Sequence, residues 1–217
     1  MLALWTGRPE GDLGPAGGVG LEERRRRVVD RPWRWVRQVH GAAVAVVSSD
    51  DGGPDPGPVD IADALVANGA RSGPALAIFT ADCAPVALAS PQGTMAAVHA
   101  GWKGLVAGVI PAAVCAMREL GATDVVGALG PCIHPECYEF GPEDLAVVGE
   151  ALGAPVAGRT RSGSPALDLP AAVHASAERA GIRMIFDSGA CTACSDGWYS
   201  HRASADPKRQ ALVVWRG

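Results

Sequence analysis

ALAIFTADCAPVALASPQGTMAAVHAGWKG, residues 75–104, holds three apolar runs with short interruptions between them. Residues 75–79 and 86–90 have strand length and flank Thr80-Ala81-Asp82-Cys83. The turn Ser90-Pro91-Gln92-Gly93 then leads into residues 94–99, which predicts a hairpin. Past the glycines at 101 and 104, residues 105–120 read as a helix stopped by Gly121 and interrupted near Pro111. Working outward, residues 33–39 and 42–48 look like consecutive strands pivoting near His40-Gly41. Further strands are expected at 124–129, 183–187 and 210–215, and helices at 142–152 and 170–180. Residues 48–58 (SSDDGGPDPGP) and 153–165 are too rich in turn-forming residues to be regular. Strands and helices mix without strict βαβ alternation, so the fold class is α+β. No repeat or long linker divides the chain, and residues 1–217 are read as a single domain.

The chain has 217 residues, 48% of them hydrophobic and 19% charged, enough apolar side chain for a well-buried core. A net charge of −4 and a pI near 5.7 supply no phosphate-neutralising surface, which excludes bulk nucleic-acid binding. Arg24 to Arg27 is the exception. It follows Glu22-Glu23 and reads as the solvated face of a short helix. The most apolar long stretch, residues 95–117, contains His99, Lys103 and Pro111 and makes a poor membrane span. The N-terminus lacks a basic region before a long apolar core, so no signal peptide is visible and a cytoplasmic location is expected. The six cysteines there are read as reduced core thiols, metal ligands or a nucleophile, not as a disulfide framework.

Three potential donors stand where strands end. His40 closes Gln38-Val39-His40-Gly41, Cys83 follows Asp82 after an apolar run, and His99 lies just before Gly101-Trp102-Lys103-Gly104. Side chains at separate strand ends can converge on one pocket. Two imidazoles and one thiolate suit Zn²⁺ with a fourth position open to water or substrate. The alternative is that His99 bonds a backbone carbonyl and Cys83 is a small core residue. The glycine-lined start of the next helix, with Lys103, has the chemistry of a phosphate seat, although close helix packing beside a solvent lysine explains it equally. Cys191-Thr192-Ala193-Cys194 is a CxxC that could be half of a zinc knuckle with Cys132 and Cys137, a redox pair, or packing, the last being preferred. In Tyr199-Ser200-His201-Arg202, the arginine could hold a carboxylate or phosphate. His134 and His174 read as structural.

The ordered set QVHG at 38–41, TADCAPV at 80–86, AAVHAGWKGL at 96–105, GPCIHPECYE at 130–139, CTAC at 191–194 and YSHR at 199–202 resembles one bacterial family. That family was first described as laccase-like, polyphenol-oxidising multicopper proteins and later as purine nucleoside phosphorylases with adenosine deaminase activity. The resemblance spans about residues 33–217. It implies a layered α/β/β/α sandwich with mixed sheets, related to toxin-type cysteine hydrolases, and makes His40, Cys83 and His99 the metal ligands. It also implies a longer N-terminal region with a T-x-R-x-G-G segment, where this chain has only Thr6-Gly7-Arg8-Pro9-Glu10-Gly11-Asp12.

The expected function is therefore a zinc-dependent purine nucleoside enzyme, with Cu²⁺ as an alternative metal. It would phosphorolyse adenosine, inosine, guanosine and methylthioadenosine and deaminate adenosine. Asp82, Cys83 and His99 are the expected catalytic residues, with Asp82 carrying a proton or orienting an imidazole. Gln38, Lys103 and Arg202 are the expected contacts to substrate or phosphate. A copper polyphenol oxidase is the first alternative, but five histidines are too few for a trinuclear cluster plus a blue-copper site. A cysteine hydrolase editing cell-wall peptide precursors, with Cys83 activated by His99, is the second. A non-enzymatic metal-binding module ranks last, because no fourth ligand is apparent. The partners expected are a purine nucleoside and phosphate, without nucleic acid or membrane, on a monomer or weak dimer.

Overall fold

The computed structural model describes residues 1–48 and 57–217; most of the predicted 48–58 loop lies outside the described residues. In chain order the elements are β1 (Leu2–Trp5), α1 (Leu21–Val28), β2 (Trp33–Trp35), β3 (Val44–Val47), β4 (Ala64–Asn68) and β5 (Ala75–Thr80). Then come β6 (Ala84–Ala89), β7 (Thr94–Ala100), α2 (Trp102–Ala107), α3 (Val109–Glu119), β8 (Val126–Leu129) and α4 (Pro142–Leu152). β9 (Ala157–Arg159), β10 (Pro165–Leu167), α5 (Leu169–Arg179), β11 (Arg183–Asp187), α6 (His201–Ser204) and β12 (Gln210–Trp215) complete the chain.

The strands form a six-stranded mixed sheet, β11-β8-β6-β7-β4-β3, a four-stranded one, β1-β12-β5-β2, and the small antiparallel hairpin β9-β10. The fold is α+β. The hairpin read at 86–99 is present as β6 antiparallel to β7, with Val86 opposite Val98. β6 and β7 are buried almost throughout, as their nearly continuous apolar runs require of strands covered on both faces. α3 and α5 cover one face of the six-stranded sheet, where Val86, Val98, Ile110, Met117 and Val173 share a core. On its other face Leu65, Ala97 and Met95 meet Ile78, Leu212 and Val214 of the four-stranded sheet. A third cluster, with Leu13, Val29, Trp33 and Phe79, lies between that sheet and the α1 segment. The layers therefore run helix, sheet, sheet, helix.

Several expectations shift. The helix read at 105–120 is two helices, divided at Gly108 (φ 85°) and not at Pro111. Pro111 falls in the first turn of α3, where its missing N–H leaves no helical bond unmade. The strands expected at 33–39 and 42–48 are shorter and belong to different sheets. Between them the backbone turns through His40 at φ 62°. Residues 153–165 contain β9 and lead into β10, where only a loop was expected. Strands β1 and β4 were not anticipated. The arginine run does lie on a short helix, but Arg25 is buried. Its Nη2 donates to Leu13 O at 3.1 Å and its guanidinium sits 5.3 Å from the Trp33 ring, so one of the four cations serves the core.

Candidate metal centre

Two crossovers between the sheets and one strand end build the site. The β2–β3 connection carries His40, the β5–β6 connection carries Asp82 and Cys83, and His99 lies near the end of β7. One donor atom from each of His40, Cys83 and His99 falls within 4.8 Å of the other two. His40 Nε2 is 3.7 Å from Cys83 Sγ, and the imidazole centroids are 4.9 Å apart. Gly101 lets the helix start approach this closely. A Cβ there would stand 2.9 Å from His40 Cδ2 and 3.1 Å from Cys83 Sγ.

Asp63 organises the centre. It is fully buried, and its Oδ1 lies 2.8 Å from His99 Nδ1. The same carboxylate accepts from the backbone N–H groups of Val39, His40 and Gly41 at 3.2, 2.9 and 2.6 Å. It therefore pins the loop that presents His40 and orients the ring of His99, so that a cation would displace the Nε2 proton and leave Nδ1–H on Asp63. Burial opposes ionisation of Asp63, but the bonds from His99 and the loop hold its pKa below the ordinary value. Burial would also raise the Cys83 thiol. The His99 charge and the bonds from His40 and His99 more than offset it and bring Cys83 down to about 6. Burial would lower His99; the Cys83 thiolate and Asp63 raise it to about 9. Without a cation, the pair is a thiolate beside an imidazolium. This donor set fits Zn²⁺ or a copper ion: two imidazoles, one thiolate formed near neutral pH, and a locked tautomer.

The centre lies in a cleft of about 670 Å³ whose walls include Trp35, Phe79, Tyr138, Arg37, Arg202 and Arg209. Burial pushes the Tyr138 hydroxyl up to about 12, and the Arg202 guanidinium sits 4.8 Å from its ring. Arg202 Nη1 donates to Glu139 O at 2.9 Å.

Of the residues expected in the site, Gln38 lines the cleft, and its amide is held at the end of β5. It donates to Phe79 O and accepts from Phe79 N, both at 2.8 Å. Asp82, at φ 92°, turns its carboxylate away toward the C-terminal segment. There it accepts from Thr192 Oγ1, Ser200 Oγ and the Arg202 N–H at 2.8, 2.7 and 2.6 Å. Lys103 is exposed, with Nζ 5.5 Å from the Trp102 centroid, and is not among the cleft walls. Arg8 donates to Trp198 O at 2.8 Å and pairs with Asp206 at 3.3 Å, and it is not among the cleft walls. The sequence reading missed Asp63, Tyr138 and Arg209. Asp63 carried one signal, an acidic residue directly before the apolar run of β4.

The profile of the family described as multi-copper polyphenol oxidoreductase laccase matches residues 21–217. A Streptomyces coelicolor protein named as a purine nucleoside phosphorylase is 46% identical over 184 residues, which are 83% of this chain and 74% of that one. A Streptomyces griseus protein of the same name is 39% identical over 98% of this chain and 86% of its own. Among solved structures, YlmD from Geobacillus stearothermophilus superposes with a TM-score of 0.82 at 28% identity, covering 94% of this chain and 84% of that one. The Neisseria meningitidis protein NMB0706 gives 0.80 at 25% identity over 100% and 90%.

Proposed function

The chain belongs to the multi-copper polyphenol oxidoreductase laccase family, and on that premise we propose that it is a metal-dependent purine nucleoside phosphorylase which also deaminates adenosine. The observation that carries the reading is the convergence of His40, Cys83 and His99 in a cleft that offers aromatic faces and several arginines. His40, Cys83 and His99 would hold the ion, zinc before copper. When bound, it supplies Lewis-acid polarisation of an oxygen at its open position.

The remaining chemistry falls to the chain. Trp35, Phe79 and Tyr138 give the purine apolar, stackable walls. Arg37, Arg202 and Arg209 give a phosphate dianion positive charge on the same walls. Arg202 is set in place through its own backbone N–H on Asp82, so Asp82 positions the anion seat instead of carrying a proton. Three donors, from Thr192, Ser200 and Arg202, occupy its two carboxylate oxygens. His201, exposed on the same wall, is the group within the cleft suited to protonating the departing base. Gln38 keeps the end of β5 against the His40 loop and shapes the floor.

Incubation of zinc-loaded protein with adenosine, inosine, guanosine and methylthioadenosine, with and without phosphate, tests this. Free base released only with phosphate is the expected result, with inosine formed from adenosine as the second product. Absence of both from metal-replete protein would refute the reading. A second reading has one observation in its favour: without a cation, Cys83, His99 and Asp63 form a thiolate–imidazolium–carboxylate array suited to amide or ester hydrolysis. An acyl adduct on Cys83 of chelated protein, with amidase turnover, would shift the assignment to it.

A further inference from the structure

Away from the cleft metal ligands, a second group of donors meets. The short 3₁₀ turn Pro135–Cys137 supplies Glu136 and Cys137, and the turn after β11 supplies Cys191 and Cys194. One ligand atom from each of the four lies within 4.8 Å of the others. Cys194 Sγ is 3.7 Å from Glu136 Oε1. Cys191 is buried, Glu136 and Cys137 are half-buried, and Cys194 is exposed. We propose that Glu136, Cys137, Cys191 and Cys194 form a second, structural site for a thiophilic divalent cation of the zinc type.

Ligand count, element type and supporting bonds all favour this. Three sulfurs and one carboxylate make a closed four-ligand set, with the same net charge on zinc as a four-cysteine site. Zn–S bonds of ~2.3 Å in a tetrahedron put the sulfurs ~3.8 Å apart, so the observed spacing needs only small side-chain rotations. The His134 N–H donates to Cys191 Sγ at 3.4 Å, a backbone contact that fixes the position of that sulfur. His134 Nδ1 also stands 4.0 Å from Glu136 Oε1. Cys132 is outside the group. Its backbone forms a bridge with Cys191, but its thiol is buried in the main core, so the CxxC takes its third sulfur from Cys137.

A cation here would tie the two turns through their side chains, beyond the single backbone bridge of Cys132 with Cys191. The turn from Cys191 to Cys194 also carries Thr192, whose hydroxyl bonds Asp82 beside Cys83. The second site would thus brace the segment on which Asp82 and Arg202 depend. It does not rest on the nucleoside reading.

Metal content of the purified full chain, measured by mass spectrometry after dialysis, tests the proposal alongside four variants. Wild type is expected to hold two zinc ions, with Cys83→Ala and Cys194→Ala holding one each. Because Cys194 is exposed, its truncation leaves the core intact. Cobalt-loaded Cys83→Ala should show a thiolate charge-transfer band that disappears in the Cys83→Ala/Cys194→Ala double variant. One zinc in wild type, kept in Cys83→Ala and lost in Cys194→Ala, would still support the second site while counting against the first. Unchanged zinc content in Cys194→Ala and Cys137→Ser, no thiolate–cobalt band in Cys83→Ala, or a disulfide among these cysteines would overturn it.

Discussion

Asp63 holds the candidate site together, because one carboxylate binds both His99 and the loop of His40. Asp63→Asn keeps the shape but removes the charge and turns an amide toward donors that need an acceptor. Breaking such a buried pair costs ~3–5 kcal/mol, and loss of a group that orients a ligand weakens metal binding by about 10–100-fold. Urea unfolding and zinc competition against a chelator should register both losses, whereas a variant with wild-type affinity would mean that Asp63 is only packing. The thiolate–imidazolium pair makes a pH prediction for metal-free protein. Cys83 is depressed from 9.0 to about 6, so its stabilisation is present above its ordinary range and lost as pH falls through about 6. His99 is raised from 6.5 to about 9, so its share is complete below 6.5 and lost as pH rises through about 9. Alkylation of Cys83, followed by peptide mapping in chelator, should reach half its maximal rate near pH 6; a midpoint at about 8.5, where free thiols titrate, would contradict the pairing. That His40, Cys83 and His99 could meet was suggested by their places between or near strands, and the family resemblance named them together; the structure brings one donor atom of each within 4.8 Å of the others. Asp63 was not legible, since its partner His99 is 36 positions away and a lone acid before a strand has no spacing to betray it.

At the scale of elements, local chemistry was read well where it acts alone. α4 and the strands at 183–187 and 210–215 stand where periodicity and turn residues put them. It failed where a distant partner decides. The 33–48 segment looks like two adjacent strands, yet its halves pair with β5 and β4 in separate sheets. β1 is defined only by its pairing with β12, more than 200 residues away, and no neighbouring residue announces it. The break at Gly108 shows the same limit, for proline was the stronger visible interruption but glycine supplied the left-handed turn. Gly101 gives the element-scale prediction. Its φ of −73° accepts alanine, so the fold of Gly101→Ala should persist. The added methyl nonetheless enters the space between His40 and Cys83 and should weaken zinc binding by at least ~10-fold, since misplaced ligands lose coordination geometry. Unaltered affinity in a competition titration would show that the helix start has room to withdraw.

For the whole molecule, the placement of His40 and Cys83 on crossovers ties the cleft to the packing of the two sheets. His40 and Cys83 each lie on a connection that leaves the four-stranded sheet and enters the six-stranded one. A bound ion therefore stabilises the folded arrangement of both layers, by ~4 kcal/mol when free metal is a thousandfold above Kd. Chelation should lower the melting temperature and zinc readdition restore it, with a smaller shift in Cys83→Ala. A melting curve indifferent to chelator in protein that demonstrably carried zinc would disconnect the ion from the layers. Among the described residues no helix is long and apolar enough to cross a membrane. The pairing of β1 with β12 has a topological consequence as well. Leu2 lies opposite Trp215, so the two ends of the described chain meet on one sheet. A short linker joining residue 217 to residue 1 would close the polypeptide into a ring without disturbing a single ladder. New termini could then be cut between β9 and β10, turning this enzyme scaffold into a circular permutant.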